Sequence, residues 1–112
     1  MREPGMREKL EKLLAQGRDS ALLRFGLGDA YLKEHDAEQA SIHLAQATQQ
    51  QHGYSTAWKL LGKALHQLGR LEEAQAAWTT GVTVAQQQGD LQAVKEMTVF
   101  LKRLQKQQQA AE

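Results

Sequence analysis

Four histidines, thirteen carboxylates and three serines are the side chains of this 112-residue chain that could do acid–base, metal or nucleophilic chemistry. Their spacing argues against all three. His35, His43, His52 and His66 include no pair three or four residues apart, the interval that puts two imidazoles on one helical face toward a metal. Ser20, Ser41 and Ser55 lack any nucleophile-elbow context. The stretch Gly26-Leu27-Gly28 falls in the middle of an expected helix, where it would not cradle a phosphate. Glu72-Glu73 opens another, and negative charge is favourable at a helix N-terminus. Cysteine is absent, which excludes disulfides, thiolate metal sites and a cysteine nucleophile, and fits a reducing compartment. The expectation is a non-enzyme with no cofactor and no metal.

The remaining chemistry is that of binding. The net charge is +1 and the pI about 8.1. Nucleic-acid-binding domains more often have a pI above about 9 and a clustered basic face. Here Lys and Arg alternate with Asp and Glu, as in Arg7-Glu8-Lys9 and Glu11-Lys12. No apolar run reaches the roughly 18 residues of a membrane span. The segment Met1 to Gly17 alternates charge with leucine and lacks the apolar centre of a signal peptide. No nucleic acid, no membrane and a cytoplasmic location are therefore expected. Glutamines cluster at Gln49 to Gln51, Gln86 to Gln88 and Gln107 to Gln109, and read as solvated last turns of helices.

Six helices are expected to position these groups. The first covers about Met6 to Gln16, with Met6, Leu10, Leu13 and Leu14 on one stripe and Gly17 as its stop. The second covers Ser20 to Glu34, with Asp19 placed to cap it. The third covers Ala37 to Gln51, and Asp36 with Gln39 resembles a capping box. The fourth covers Ser55 to Leu68 and stops at Gly69. The fifth covers Leu71 to Gln88. The sixth covers Leu91 to Gln108, with Val94, Met97, Leu101 and Leu104 near the helical period. Alternating β-branched runs are absent, so the fold class is all-α.

A pattern recurs at a spacing of 34 residues. Arg24-x-x-Leu27-Gly28-x-x-Tyr31 with Ala40-x-x-x-Leu44 is followed by Trp58-x-x-Leu61-Gly62-x-x-Leu65 with Ala74-x-x-x-Trp78. A fixed period of this size signals a repeated helical unit whose neighbours stack to bury a shared core. Gly28 and Gly62 sit mid-helix, where glycine costs about 1 kcal/mol relative to alanine. The small residues Gly28, Gly62, Ala40 and Ala74 would let helices approach, while Leu27, Tyr31, Leu61 and Leu65 fill the space around them. Leu44 and Trp78 would bridge to the neighbouring pair.

These residues resemble the tetratricopeptide repeat, W-x2-L-G-x2-Y…A-x3-F…P over 34 residues. The departures are Arg24 for Trp, Leu65 for Tyr, Trp78 for Phe, and His52 and Gln86 where Pro ends the unit. The resemblance implies a single domain over residues 1–112: an N-terminal half-repeat helix at 6–18, repeats at 21–54 and 55–88, and a capping helix at 90–108. The last helix does not continue the 34-residue pattern, since Lys95 and Glu96 stand where Leu and Gly would fall. Two repeats alone are marginal, as about three are usually needed, so both flanking helices are expected to be required for folding.

The resemblance also implies a concave groove that grips a peptide or protein segment. Its wall would be Leu22, Phe25, Asp29 and Lys33 from the first repeat and Thr56, Lys59, Lys63 and His66 from the second, each set on one side of its helix. A groove with an apolar and mixed-charge end at Phe25 and a basic end at Lys59 and Lys63 favours a partner with an apolar anchor and acidic residues. Some members clamp a partner's terminal carboxylate with Lys, Asn and Arg. Lys59 resembles one clamp lysine, but this chain has no Asn, and Asp29 would repel the carboxylate. The alternative function is a structural or self-associating subunit, a homo-oligomer included, using the helix of Val94, Met97 and Phe100.

Overall fold

The computed structural model describes residues 3–111. Its helices are α1 (Met6–Ala15), α2 (Ala21–Lys33), α3 (Ala37–Gln50), α4 (Ser55–Gln67), α5 (Leu71–Gln88) and α6 (Leu91–Ala110). The 6–18 span expected for the first helix thus ends in a turn at Gly17, and α6 runs about two residues past the expected Gln108.

The chain places strong signals at the ends of these helices. Asp36 accepts a hydrogen bond from the Gln39 amide at 3.1 Å, and Asp90 accepts one from the Ala93 amide at 3.1 Å. The cap of α2 corrects the sequence expectation. Ser20 Oγ, not Asp19, accepts from the Leu23 amide at 3.1 Å, because the Asp19 carboxylate is taken by the Arg24 guanidinium at 2.8 and 2.9 Å. Four helices end on a left-handed residue: Gly17, His35, Gly69 and Gly89. After each, the next amide reaches back five residues to a helix carbonyl: Arg18 to Leu13, Asp36 to Tyr31, Arg70 to Leu65 and Asp90 to Ala85, at 2.9–3.1 Å.

Each helix packs on the next in sequence, and α2 also touches α4 while α4 touches α6. The result is two layers, α2–α4–α6 and α1–α3–α5, in a slab of 49 × 31 × 19 Å. The glycine notches lie within each hairpin. A Cβ on Gly28 would collide with the Leu44 side chain, and one on Gly62 with the Trp78 indole. Leu44 and Trp78 therefore fill notches in their own hairpins. Trp78 also reaches the neighbouring element, with its ring 5.2 Å from that of Phe100 on α6. Leu27, Ala40, Leu44 and Ala74 are fully buried, Leu61, Leu65 and Trp78 nearly so, and Tyr31 and Trp58 are half-buried.

Arg24 replaces an aromatic without leaving a gap. The Trp58 indole donates to the His52 carbonyl at 2.8 Å and so ties α4 to the turn before it. Arg24 does the same for α2 through Asp19, which also accepts from Gln50 at 3.0 Å.

The α1 helix is tied to the first hairpin by Leu10, which packs against Gly26, and by a polar cluster. Arg7 bonds Glu34 at 2.9 Å and Glu11 at 3.2 Å, and the Tyr31 hydroxyl donates to Glu11. The last helix stands to α4 and α5 as α4 stands to α2 and α3. Its register is 36 residues on rather than 34: α5 is four residues longer than α3, and the connector after it is two shorter. Met97 therefore corresponds to Leu61, Thr98 to Gly62 and Leu101 to Leu65. This corrects the 34-residue comparison, which set Lys95 and Glu96 at those places.

Candidate functional site

The proposed wall residues of α2 are engaged locally. Lys33 pairs with Asp29 at 3.0 Å along the helix, and Phe25 stacks on Tyr54 with ring centres 5.0 Å apart. Leu22 is 72 % exposed, the most open large apolar side chain among the described residues. Nothing in the hydrogen-bond or ion-pair pattern of the described residues joins this α2 set to the α4 set.

The α4 residues instead face α6. Lys59 Nζ lies 2.7 Å from Glu96 Oε2, and only a fifth of the Lys59 side chain is exposed. Lys59, Gln92 and Lys63 hold the Glu96 carboxyl below its ordinary value, with the Lys59 hydrogen bond the largest cause. One turn on, the Lys63 ammonium sits 5.2 Å above the Phe100 ring. At the end of α4, His66 Nε2 meets Gln107 Oε1 at 2.9 Å, and its ring tilts against Trp78. Thr56 is half-buried at the start of the helix. Lys59 is thus not a free groove cation, because an α6 carboxylate neutralises it. The sequence comparison missed this, since it located no acid opposite Lys59.

Between α4 and α6 lies a cleft of about 310 Å³, lined by Lys63, His66, Gln67, Trp78, Phe100, Arg103 and Leu104. Arg103 makes no ion pair among the described residues. It was not among the expected wall residues, and the signal that finds it is the helical spacing Glu96, Phe100, Arg103, Gln107 along α6. Phe100 belongs to this cleft. Val94 is half-buried and Met97 fully buried, so the side chains expected to form an end-helix interface are instead used internally. The exposed large apolar residues of α6 are Leu91 and Val99.

The glutamine tracts are also more than solvated turns. Gln50 bonds Asp19, Gln88 donates to the Gly53 carbonyl, and Gln107 meets His66. Among the described residues, no group of three or more His, Asp or Glu side chains is arranged to hold a metal ion. No helix there is long and apolar enough to cross a membrane.

A family model described as a tetratricopeptide repeat matches residues 7–63. The TPR repeat-containing protein PA0015 of Pseudomonas aeruginosa is 54 % identical over 99 residues, covering 88 % of this chain and 94 % of that one. The chain belongs to the tetratricopeptide repeat family. The solution structure of protein BPP2914 from Bordetella parapertussis superposes with a TM-score of 0.81 at 44 % identity, covering 94 % of this chain and 91 % of that one. A tetratricopeptide repeat domain protein from Salinibacter ruber superposes with a TM-score of 0.70 at 21 % identity, covering 77 % and 87 %, a likeness of fold alone. Tetratricopeptide repeats are in general protein–protein interaction modules. In this tetratricopeptide repeat protein the motif residues are spent on packing.

Proposed function

We propose that this protein is a non-catalytic binding module that holds a protein or peptide segment on the α2–α4–α6 face. The observation that supports this reading most is the open cleft between α4 and α6, whose only charged linings, Lys63 and Arg103, have no acidic partner there. Leu22 offers an exposed apolar contact on the same layer of helices. Within this reading α1 is a half unit stacked before the repeats, and α6 closes them. The absence of cysteine supports a cytoplasmic setting.

Selection from a displayed peptide library, followed by NMR shift mapping on the labelled protein, tests the reading. Selected peptides should shift resonances of α2, α4 and α6, and Leu22→Glu with Lys63→Glu should weaken them without changing the fold. Perturbations confined to α3 and α5 would sink it. The alternative is a structural or self-associating subunit anchored by Leu91, which is 68 % exposed. It predicts a concentration-dependent mass in sedimentation that Leu91→Glu abolishes.

A further inference from the structure

Three cross-helix rungs join α4 to α6: Lys59 to Glu96, Lys63 to Phe100, and His66 to Gln107. The first shows how this seam treats a carboxylate. Glu96 presents one oxygen to Lys59 at 2.7 Å and the other to Gln92 at 3.1 Å. The middle rung repeats the cation one helical turn later: Lys63 makes no ion pair among the described residues, although its charge also acts on Glu96. Lys63 lies over an aromatic face, and Arg103, three residues beyond Phe100, lines the same cleft. No acidic side chain lines it. His66, which meets Gln107, lines the cleft together with Trp78, Phe100 and Leu104.

We propose that the α4–α6 cleft binds a carboxylate side chain of a partner peptide between Lys63 and Arg103, with an adjoining apolar side chain of that peptide against Phe100. The inference rests on the binding-module reading and names the chemistry of its ligand. Arg103 supplies a planar fork matched to a carboxylate, and Lys63 supplies a point charge already oriented by the ring beneath it. The paired Glu96 one turn away sets the length of the anionic stretch. A polyanion running along the seam would meet that carboxylate, so the site suits an isolated acidic residue beside apolar ones rather than a nucleic-acid backbone.

The probe is a fluorescein-labelled peptide of repeating glutamate, leucine and phenylalanine, measured by anisotropy on the full chain beside its glutamine counterpart. The acidic peptide should bind about tenfold tighter than the glutamine one and lose about tenfold when Lys63 and Arg103 are both changed to alanine. Added salt should weaken it, and Lys102→Ala, outside the cleft, should leave it unchanged. Far-UV circular dichroism and Tm check that the double variant folds, and Arg103→Glu alone gives a second variant at an exposed site. Equal binding of the two peptides, or acidic binding that survives both variants, overturns the carboxylate site while leaving a peptide-binding face intact. Failure of every peptide from the displayed library overturns the binding-module reading itself. Displacement of the acidic peptide by single-stranded RNA at lower concentration than by unlabelled peptide overturns the proposal in favour of nucleic acid.

Discussion

The Trp78 indole fills the space that Gly62 leaves on α4, and its Nε1 donates to the Lys59 carbonyl at 3.0 Å. One residue without a side chain thus lets a large ring reach the backbone of the facing helix and satisfy its own polar atom there. The same ring supports Phe100 and His66, and all three line the cleft.

Gly62→Ala should therefore destabilise, although alanine favours a helix by about 1 kcal/mol. The new methyl meets Trp78, which is nearly buried and cannot swing clear. Overpacking of this kind costs up to about 3 kcal/mol, for a net loss of about 2 kcal/mol. The expected fall in Tm is roughly 10 °C. A double-mutant cycle with Trp78→Leu checks the cause. In that background Gly62→Ala should cost far less, and an unchanged cost would place the strain elsewhere.

His35 is the described non-glycine residue with a left-handed backbone, φ 62°, at the turn where Gly69 stands one repeat later with φ 75°. A side chain in that region costs about 1–2 kcal/mol, and glycine gives back part of this through a freer unfolded chain. His35→Gly should raise stability by about 1 kcal/mol in urea melts, with the slope unchanged. No gain would mean that the exposed imidazole contributes something that the turn geometry does not reveal.

Those two positions show what the sequence carried and what it did not. The helices and the two notches were readable because periodicity and glycine placement are local signals, whereas Leu44 and Trp78, read as bridges to the neighbouring pair, fill the notches of their own hairpins. Asp19 was misassigned because capping and pairing with Arg24 compete for one carboxylate, and that competition depends on where α2 sits. The place of α6 was obscured by two residues. Its lengthened predecessor moves the register from 34 to 36, and a comparison at fixed period lands on Lys95 instead of on Met97. Of the site, Lys63 and His66 were legible from spacing on α4. Arg103 was not, because it belongs to a helix that meets α4 only after folding.

His43 should make the fold acid-sensitive. Burial, and next the Arg24 guanidinium, lower its pKa from 6.5. Its Nδ1 faces Arg24 Nη1 at 3.2 Å, and its ring stacks on Tyr31. A proton would put two cations in contact. Above about pH 6.5 both states are neutral at this residue, so nothing is lost. As the pH falls below that value the unfolded chain takes up a proton that the folded chain resists, and stability drops until the folded pKa is passed. Asp19 and Glu96, also lowered, act in the same direction but from the carboxylate range downward. Urea melts between about pH 7.5 and pH 5 isolate the histidine. The wild type should lose stability across that window, and His43→Gln, which keeps an acceptor for Arg24, should be nearly flat.

The last helix should be indispensable to the repeats. Met97 is fully buried and occupies the space above Gly81, where a Cβ would also lie 2.9 Å from Trp58 Cβ, and Leu104 is nearly as deep. Met97→Ala leaves a cavity that the notch cannot close, at a cost of about 3 kcal/mol. Against a total stability of about 5–15 kcal/mol, one such loss is survivable and removal of the whole helix is not. Deleting residues 90–112 uncovers the apolar faces of Trp78, Gly81 and Ala85 together. The truncated chain should melt without cooperativity or associate, as followed by circular dichroism and light scattering, while Lys95→Ala in the full chain should be silent. A truncated chain that stays monomeric and unfolds in one sharp transition would mean that the repeats carry their own core.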